Sequence, residues 1–342
     1  MTYQKGLSLI GTLALFSLVT FSLPATAGKI YRSETAAPGG SAHSMMVAFA
    51  KMAKRADVNI QINAGKTLTV AMMNAGKGKI DFYTGVPFFY VAMSKRLAMF
   101  KKRKDAPAAA KNIRYIFTYP AGLTHILVYA NSGITKMSDL KGKKIFLGPP
   151  AGAATWEAKT QIKAATGYEA GKDYQGVILN WGEGIQAMKD KKIDVLFRPI
   201  HLGSALIEQF GLTDSFRLIS LPKNAWKTKA MTDLISEPDY KMTEIKPNTY
   251  RGQINTKPVS ALGYYLSIGT QANVPADDVY KATKAFWTNL PEVHATAKFM
   301  KDLTKANAFD AVNGPLHIGA YKYYKEAGFK IPDLAIPPEA KK

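Results

Sequence analysis

The chain has 342 residues, no cysteine, and 46 Lys and Arg against 25 Asp and Glu, which gives a formal charge of +21 at pH 7. The absence of cysteine excludes disulfides, thiolate metal sites and cysteine nucleophiles. At roughly 100–200 residues per domain, this length predicts two domains.

The N-terminus has the pattern of a secretory signal peptide. Lys5 is followed by an apolar run at 6–23, and Ala25 and Ala27 fit the small-x-small cleavage pattern. We therefore expect cleavage after Ala27, with 1–27 as the signal peptide and a periplasmic mature protein. An uncleaved membrane anchor is the alternative. No other stretch approaches the ~20 apolar residues that a membrane span needs.

The positive charge suits three kinds of partner: nucleic acid, an acidic membrane surface, or an anionic small ligand. A signal peptide argues against nucleic acid, so we expect none to bind. Most of the lysines lie in short turns, with one denser run at 101–104. Scattered lysines are most often a solvated surface, and a general field that attracts anions is the second interpretation.

The first elements follow a strand–helix order. Met45, Phe49 and Met52 recur at helical spacing within 41–56, behind a Gly-Gly-Ser start, which predicts an amphipathic helix. A strand at 58–62, a helix at 67–75 and a strand at 80–85 are predicted next. This βαβ order predicts a parallel sheet with right-handed crossovers.

The stretch GKGKIDFYTG at 76–85 predicts a helix end, a basic turn and a buried strand. Ala75-Gly76 would end the helix in a glycine cap, and the lysines would favour its negative C-terminal end. A similar stretch, MKDKKIDVLFRP, stands at 188–199. The repeat is expected if two similar α/β lobes each carry such a unit.

Two loops rich in Gly, Ala and Pro, at 35–43 and 148–155, each join a predicted strand to a predicted helix. Each would present free backbone N–H groups at a helix N-terminus, where an anion is favoured. Tight turns without a ligand are the alternative. Two loops in equivalent positions favour a binding site. Downstream, 259–268 is predicted as a strand and 277–290 as a helix whose apolar face packs in the core.

Signatures of enzymes and metal sites are missing from the sequence. It has no Gly-x-Ser-x-Gly and no His-Glu-x-x-His. The Gly-Lys-Thr at 65–67 is not a phosphate loop, because Ile60 stands where its first glycine should be. The five histidines have no metal-ligand spacing. We therefore expect no enzyme activity, no cofactor and no metal.

Several segments resemble periplasmic solute-binding proteins, the first of them SGITKMSDLKGKKIFLGPPAGA at 132–153. TYRGQ at 249–253, DDVYKATKAFWTNL at 277–290 and PLHIGAYKYYKEAG at 315–328 are similar to the TAXI family, the glutamate-binding-protein-like receptors of TRAP transporters. The similarity extends from about residue 31 to 328.

The resemblance implies the type II periplasmic-binding-protein fold, with two α/β lobes that each have a mainly parallel sheet flanked by helices. Lobe I would comprise 28–131 plus 250–335 and lobe II 132–249, with a C-terminal tail at 336–342 and hinges near 130–131 and 246–252. The expected function is capture of a small carboxylate, such as a glutamate-like, 2-oxo or dicarboxylic acid, by lobe closure. Delivery to a TRAP-type membrane permease would follow, and we expect a monomer.

The ligand loops depart from the family pattern. Gly39-Gly40 is followed by Ser41-Ala42-His43 where the family usually has Thr-Tyr-Tyr, so the ligand is expected to be anionic but larger or less polar than glutamate. Thr155 is a candidate to supply a hydroxyl. The residues carried over as ligand-binding are Gly39, Gly40, Ser41, His43, Tyr83, Thr84, Phe88, Gly152, Ala153, Ala154, Thr155, Trp156, Arg198 and His201.

Arg198 is the residue expected to anchor the anion, because it follows an apolar strand directly at its carboxyl end. Open α/β sheets bind ligands there, and a guanidinium offers a planar fork that matches a carboxylate. The alternatives are an ion pair with Glu183 or a role in capping a loop. His201 is a weaker candidate, three residues on.

Other interpretations keep the fold and change the role. A permease-free ligand sensor or adaptor would present its ligand to a membrane-bound regulatory protein. A secreted enzyme would turn over a candidate ligand. An electrostatic binder of lipid or polyanion would depend steeply on salt.

Overall fold

A computed structural model of the chain describes residues 1–2, 29–150, 152–235 and 239–341. The predicted signal peptide beyond residue 2 and its cleavage site lie outside the described residues. Among the residues described, no helix is long and apolar enough to cross a bilayer. The described residues contain ten strands: β1 Ile30–Glu34, β2 Asn59–Asn63, β3 Phe82–Gly85, β4 Ile113–Tyr129, β5 Lys144–Gly148, β6 Gln175–Ile178, β7 Val195–Ile200, β8 Phe216–Leu218, β9 Tyr240–Ile245 and β10 Val259–Gln271.

Most of the α-helices lie between strands, and helices are present at the three ranges predicted above, 41–56, 67–75 and 277–290. The α-helices are α1 Ser41–Lys54, α2 Leu68–Gly76, α3 Phe88–Lys95, α4 Ala106–Ala110, α5 Ala153–Thr166, α6 Trp181–Lys189, α7 Ala205–Thr213, α8 Lys229–Ile235, α9 Ala276–Thr288, α10 Leu290–Thr296 and α11 Ile318–Glu326. Short 3-10 turns lie at Ala98–Phe100, Met137–Leu140, Ala225–Lys227, Lys298–Asp302, Lys305–Asn307, Asp333–Ala335 and Pro338–Ala340.

The strands form one mixed sheet in the order β2-β1-β3-β10-β4-β7-β5-β6, with β8 beside β4 and β9 beside β10. Two groups within it are parallel: β1 with β2 and β3, and β5 with β6 and β7. Antiparallel pairing through β10 and β4 joins the groups. The predicted α/β class with two parallel units is therefore confirmed.

β4 and β10 are the strands that belong to both groups. β4 pairs with β10 over 113–123 and with β7 over 123–127. β10 pairs with β9 near its start and with β3 near its end. The chain thus passes between the groups inside these strands, whereas 130–131 follow the end of β4. The lobe boundaries expected from the sequence stay a prediction.

The apolar stripes seen in the sequence form the core. Met45, Phe49 and Met52 of α1 are buried, as are Val279 and Phe286 of α9. The rings of Phe49 and Phe286 meet at a centroid distance of 5.7 Å, and aromatic pairs of this kind stabilise a core beyond the area they bury. At the C-terminus, the predicted tail is fixed by an ion pair of 2.6 Å between Arg114 and Glu339.

The turn after α2 uses two glycines for different reasons. The helix ends at Gly76, as expected, but the residue with positive φ is Gly78, at +69°. A Cβ at Gly76 would lie 2.5 Å from the carbonyl oxygen of Ala109, whereas one at Gly78 would meet nothing within 4 Å. Gly76 therefore allows a close approach of α4, and Gly78 makes the left-handed turn into β3.

Candidate functional site

A cleft of about 730 Å³, open to solvent, lies where the loops before α1, α2 and α5 meet the carboxyl end of β7. It receives side chains from both parallel groups of strands and from β10. Six of the residues predicted from the sequence line it: Gly40, Ser41, Gly152, Ala153, Ala154 and Arg198.

The two glycine loops start their helices in the same way. Gly40 precedes α1 with φ −89° and ψ 157°, and Gly152 precedes α5 with φ −89° and ψ 153°. Neither position supplies a side-chain cap. Because the first N–H groups of a helix have no intrahelical partner, both helix starts offer donors and a positive dipole end to an anion. The two loops, which were predicted to be equivalent, therefore have the same backbone conformation at the residue before the helix.

Arg198 is buried at this cleft, with 3% of its surface exposed. Its guanidinium carbon lies 4.0 Å from the centre of the Trp181 indole, so one face of the cation is covered. In the part of the chain that the structure describes, no carboxylate forms an ion pair with it, and its Nε has no hydrogen-bond partner. Burial lowers the pKa of Arg198 to about 10, which leaves it charged at neutral pH.

The alternative partner, Glu183, is used elsewhere. Its Oε2 accepts the backbone N–H of Asn180 at 2.9 Å, in a capping box at the start of α6. A buried cation without a protein counter-ion is costly unless a ligand supplies the negative charge. Arg198 therefore has the environment expected of an anion anchor.

Glu157 also lines the cleft, from the second turn of α5, and is 6% exposed. The hydroxyl of Tyr240 donates to its Oε1 at 2.5 Å. Because it is desolvated, the pKa of Glu157 is raised from 4.5 to about 7, an effect that the Tyr240 hydrogen bond opposes. No feature of the sequence around Glu157 indicated that this residue would line the cleft.

The aromatic side chains in and beside the cleft have two different roles. Trp181 lines it and covers Arg198. Phe88 and Trp156 instead stack on one another, with ring centroids 6.2 Å apart and planes 13° from parallel. The backbone N–H of Phe88 also donates to Asp239 Oδ2 at 3.0 Å. Phe88 belongs to predicted lobe I, whereas Trp156 and Asp239 belong to predicted lobe II.

Three predicted residues lie at the first loop or next to it, outside the cleft lining. Gly39, with φ +82°, makes the turn before the helix. Thr84 is fully buried beneath the loop, and its hydroxyl hydrogen-bonds that of Thr35 at 3.2 Å. The half-buried His43 has an enclosed Nδ1 without a hydrogen-bond partner in the described chain.

Three further predicted residues point elsewhere. Tyr83 lies in the core and donates its hydroxyl to Arg114 O at 3.3 Å, because alternation along β3 turns it away from Thr84. Thr155 donates its hydroxyl to Pro149 O at 2.7 Å and so fixes the second loop. His201 stacks on Phe299, with ring centroids 4.6 Å apart, and lines a second pocket that is open to solvent.

Several cleft residues were not anticipated. Lys66 and Thr67 line it, and Thr67 accepts the Val70 N–H at 3.4 Å as the cap of α2. The Gly-Lys-Thr at 65–67, which is not a phosphate loop, therefore marks the start of α2. Tyr264 and Leu266 line the cleft from β10, two residues apart as one face of a strand requires. Across the described ranges, no three His, Asp or Glu side chains cluster as a metal site.

Comparison with known proteins agrees with this architecture. Residues 34–328 match the sequence model of the NMT1-like family. A solved structure described as a periplasmic transporter aligns over 80% of this chain and 87% of its own length, with 16% identity and a TM-score of 0.50.

Two further similar structures align with lower TM-scores. A periplasmic aliphatic sulphonate-binding protein from Escherichia coli aligns at 15% identity, 87% and 83% coverage and a TM-score of 0.40. A TRAP periplasmic solute-binding protein from Ralstonia eutropha H16, with bound (S)-2-acetolactate, aligns at 13% identity, 91% and 88% coverage and a TM-score of 0.44. At such identities the likeness concerns the fold alone.

Proposed function

The chain belongs to the NMT1-like family, and from that premise we propose that it is a periplasmic receptor for a small organic anion. The observation that carries the proposal is Arg198, a buried cation at the cleft without an ion-pair partner among the described residues. The ligand is held between the lobes and captured by their closure.

The walls of the cleft support an organic rather than a purely inorganic anion. Leu68, Val86 and Leu266 line it together with the ring of Trp181. Ligand sites of this kind use apolar walls for contact and a few placed polar groups for orientation. Small residues at the two helix starts leave room for a ligand larger or less polar than glutamate, as the loop sequences indicate.

A carboxylate is the anion that we propose, because its two oxygens match the guanidinium fork and the N–H groups of α1 and α5. The sequence resemblance to the TAXI receptors favours a TRAP-type permease as the membrane partner to which the loaded receptor delivers its ligand. Periplasmic localisation follows from the signal-peptide pattern at residues 1–27.

The test is ligand binding by the mature chain, unfolded and refolded to remove carried-over ligand. Melting temperature and calorimetric Kd are measured against carboxylates, sulfonates and neutral controls. A ligand at 100 times its Kd adds about 2.7 kcal/mol to the free energy of unfolding. Arg198→Ala is expected to weaken anion binding by roughly 2–5 kcal/mol.

Arg32→Ala is the matched control, because it removes an exposed arginine outside the cleft and is expected to leave the Kd unchanged. An anion Kd that Arg198→Ala does not alter contradicts the assigned anchor. Tight binding of sulfonates with no carboxylate bound would replace the proposed ligand class and keep the site.

A further inference from the structure

The cleft contains two buried ionisable groups of opposite charge that do not pair with each other. Arg198 enters from the end of β7 and Glu157 from α5, with 3% and 6% of their surfaces exposed. In the described ranges, neither forms an ion pair with any side chain. A buried charge normally has a partner, since leaving it without one costs several kcal/mol.

The surroundings of Glu157 leave one of its oxygens available. Oε1 accepts the Tyr240 hydroxyl from β9. Oε2 has no hydrogen-bond donor from the part of the chain that is described. Tyr264 from β10 also lines the cleft, beside the apolar Leu266. Because Oε2 is not among the enclosed unpartnered atoms of the described chain, it is accessible from the cleft and can accept a hydrogen bond from a ligand.

The surroundings of Arg198 show the same pattern. Trp181 covers one face of the guanidinium, and the enclosed Nε has no partner in the described chain. The cleft therefore presents a donor fork at one place and an acceptor at another, with largely apolar walls beside them. A ligand with only an anionic group would satisfy Arg198 and leave Glu157 desolvated without a partner.

We propose that the ligand is an organic anion that also carries a hydroxyl or amino group, with the anionic group bound by Arg198 and the hydroxyl or amino group donating to Glu157. This assignment rests on the receptor function proposed above and names the substrate class of that site. Glu157 then determines specificity, whereas Arg198 supplies the affinity for anions in general.

The experiment compares short linear carboxylates whose far end is a methyl, a hydroxyl or an amino group. Kd is measured by calorimetry for the wild type, for Glu157→Gln and for Glu183→Gln. The last variant is the control, since Glu183 caps α6 and does not line the cleft. Because a hydrogen bond to a charged group is worth a factor of about 10 to 100, the wild type should prefer hydroxyl or amino acids by about that factor.

Glu157→Gln should abolish most of this preference, in part by tightening the binding of methyl-ended acids that leave the wild-type carboxyl without a partner, and Glu183→Gln should leave the preference as it is in the wild type. A wild type that binds methyl-ended acids as tightly as the substituted ones overturns the inference and leaves the proposed function intact. The order of the wild-type Kd values for the three kinds of acid is measured without any variant. It therefore tests the inference even if Glu157→Gln does not fold. A wild type that binds no organic anion overturns the proposed function and this inference with it.

Discussion

Phe88 and Trp156 lie face to face, one from each predicted lobe, with ring centroids 6.2 Å apart and planes 13° from parallel. Each residue follows the strand-to-helix turn of its own lobe, so the contact joins the start of α3 to the start of α5. An opening of the lobes would separate the two rings.

The first prediction concerns this aromatic contact. Phe88→Leu and Trp156→Leu should each speed ligand release, because the stacked pair stabilises the contact between the two predicted lobes by about 0.5–1.5 kcal/mol. Stopped-flow displacement gives the dissociation rate, and a double-mutant cycle gives the coupling between the rings. Additive effects of the two substitutions would show that the contact does not contribute to closure.

The second prediction separates binding from stability at Arg198. Arg198→Met removes a buried charge that has no ion-pair partner among the described residues, so the ligand-free protein should unfold at the same or a higher urea concentration. Anion binding should be lost. A fall of more than about 2 kcal/mol in the free energy of unfolding would indicate that Arg198 has a structural role instead.

The third prediction distinguishes the two glycines after α2. Gly76→Ala should destabilise the fold strongly, because the added Cβ would lie 2.5 Å from the backbone oxygen of Ala109. Gly78→Ala meets no atom within 4 Å and should cost only about 1–2 kcal/mol for its positive φ. Urea unfolding of both variants measures the difference, and equal losses would contradict the assignment.

The fourth prediction concerns pH. Desolvation raises the pKa of Glu157 from 4.5 to about 7, so between these values the folded protein holds a proton that the unfolded chain has released. The contribution of Glu157 to stability is therefore fully present below about pH 4.5 and is lost as the pH rises through about 7. It amounts to up to about 3 kcal/mol.

The check is the free energy of unfolding of the ligand-free wild type and of Glu157→Gln, measured by urea titration from acid to neutral pH. Relative to the variant, the wild type should lose stability as the pH rises over this window. Parallel curves for the two proteins would mean that Glu157 titrates near 4.5 in the folded state.

Local pattern predicted the elements that frame the cleft. Apolar spacing gave α1 and its buried Met45 and Phe49, and the glycine loops gave the two uncapped helix starts at Gly40 and Gly152. These features depend on residues close together in the chain. They could be predicted because a helix start or an apolar stripe is largely decided within one or two turns.

Residues that reach the cleft from distant strands could not be found in this way. Glu157 and Tyr264 both line the cleft only because α5 and β10, which are far apart in the sequence, converge there. His201 was predicted to bind the ligand together with Arg198. The two residues are three positions apart, and an odd offset puts their side chains on opposite faces of an extended chain. Its position on Phe299 follows from that alternation.

Because β4 and β10 each belong to both groups of strands, a gene fragment that encodes one predicted lobe does not encode all the strands that its sheet needs. A fragment that encodes only 132–249 would lack both central strands, so β8 and β9 would lose the strands they pair with and β7 would keep only β5. Such bare edges favour aggregation over independent folding. Transfer of ligand preference between relatives should therefore exchange loops and helix starts on an intact pair of central strands, and leave whole lobes in place.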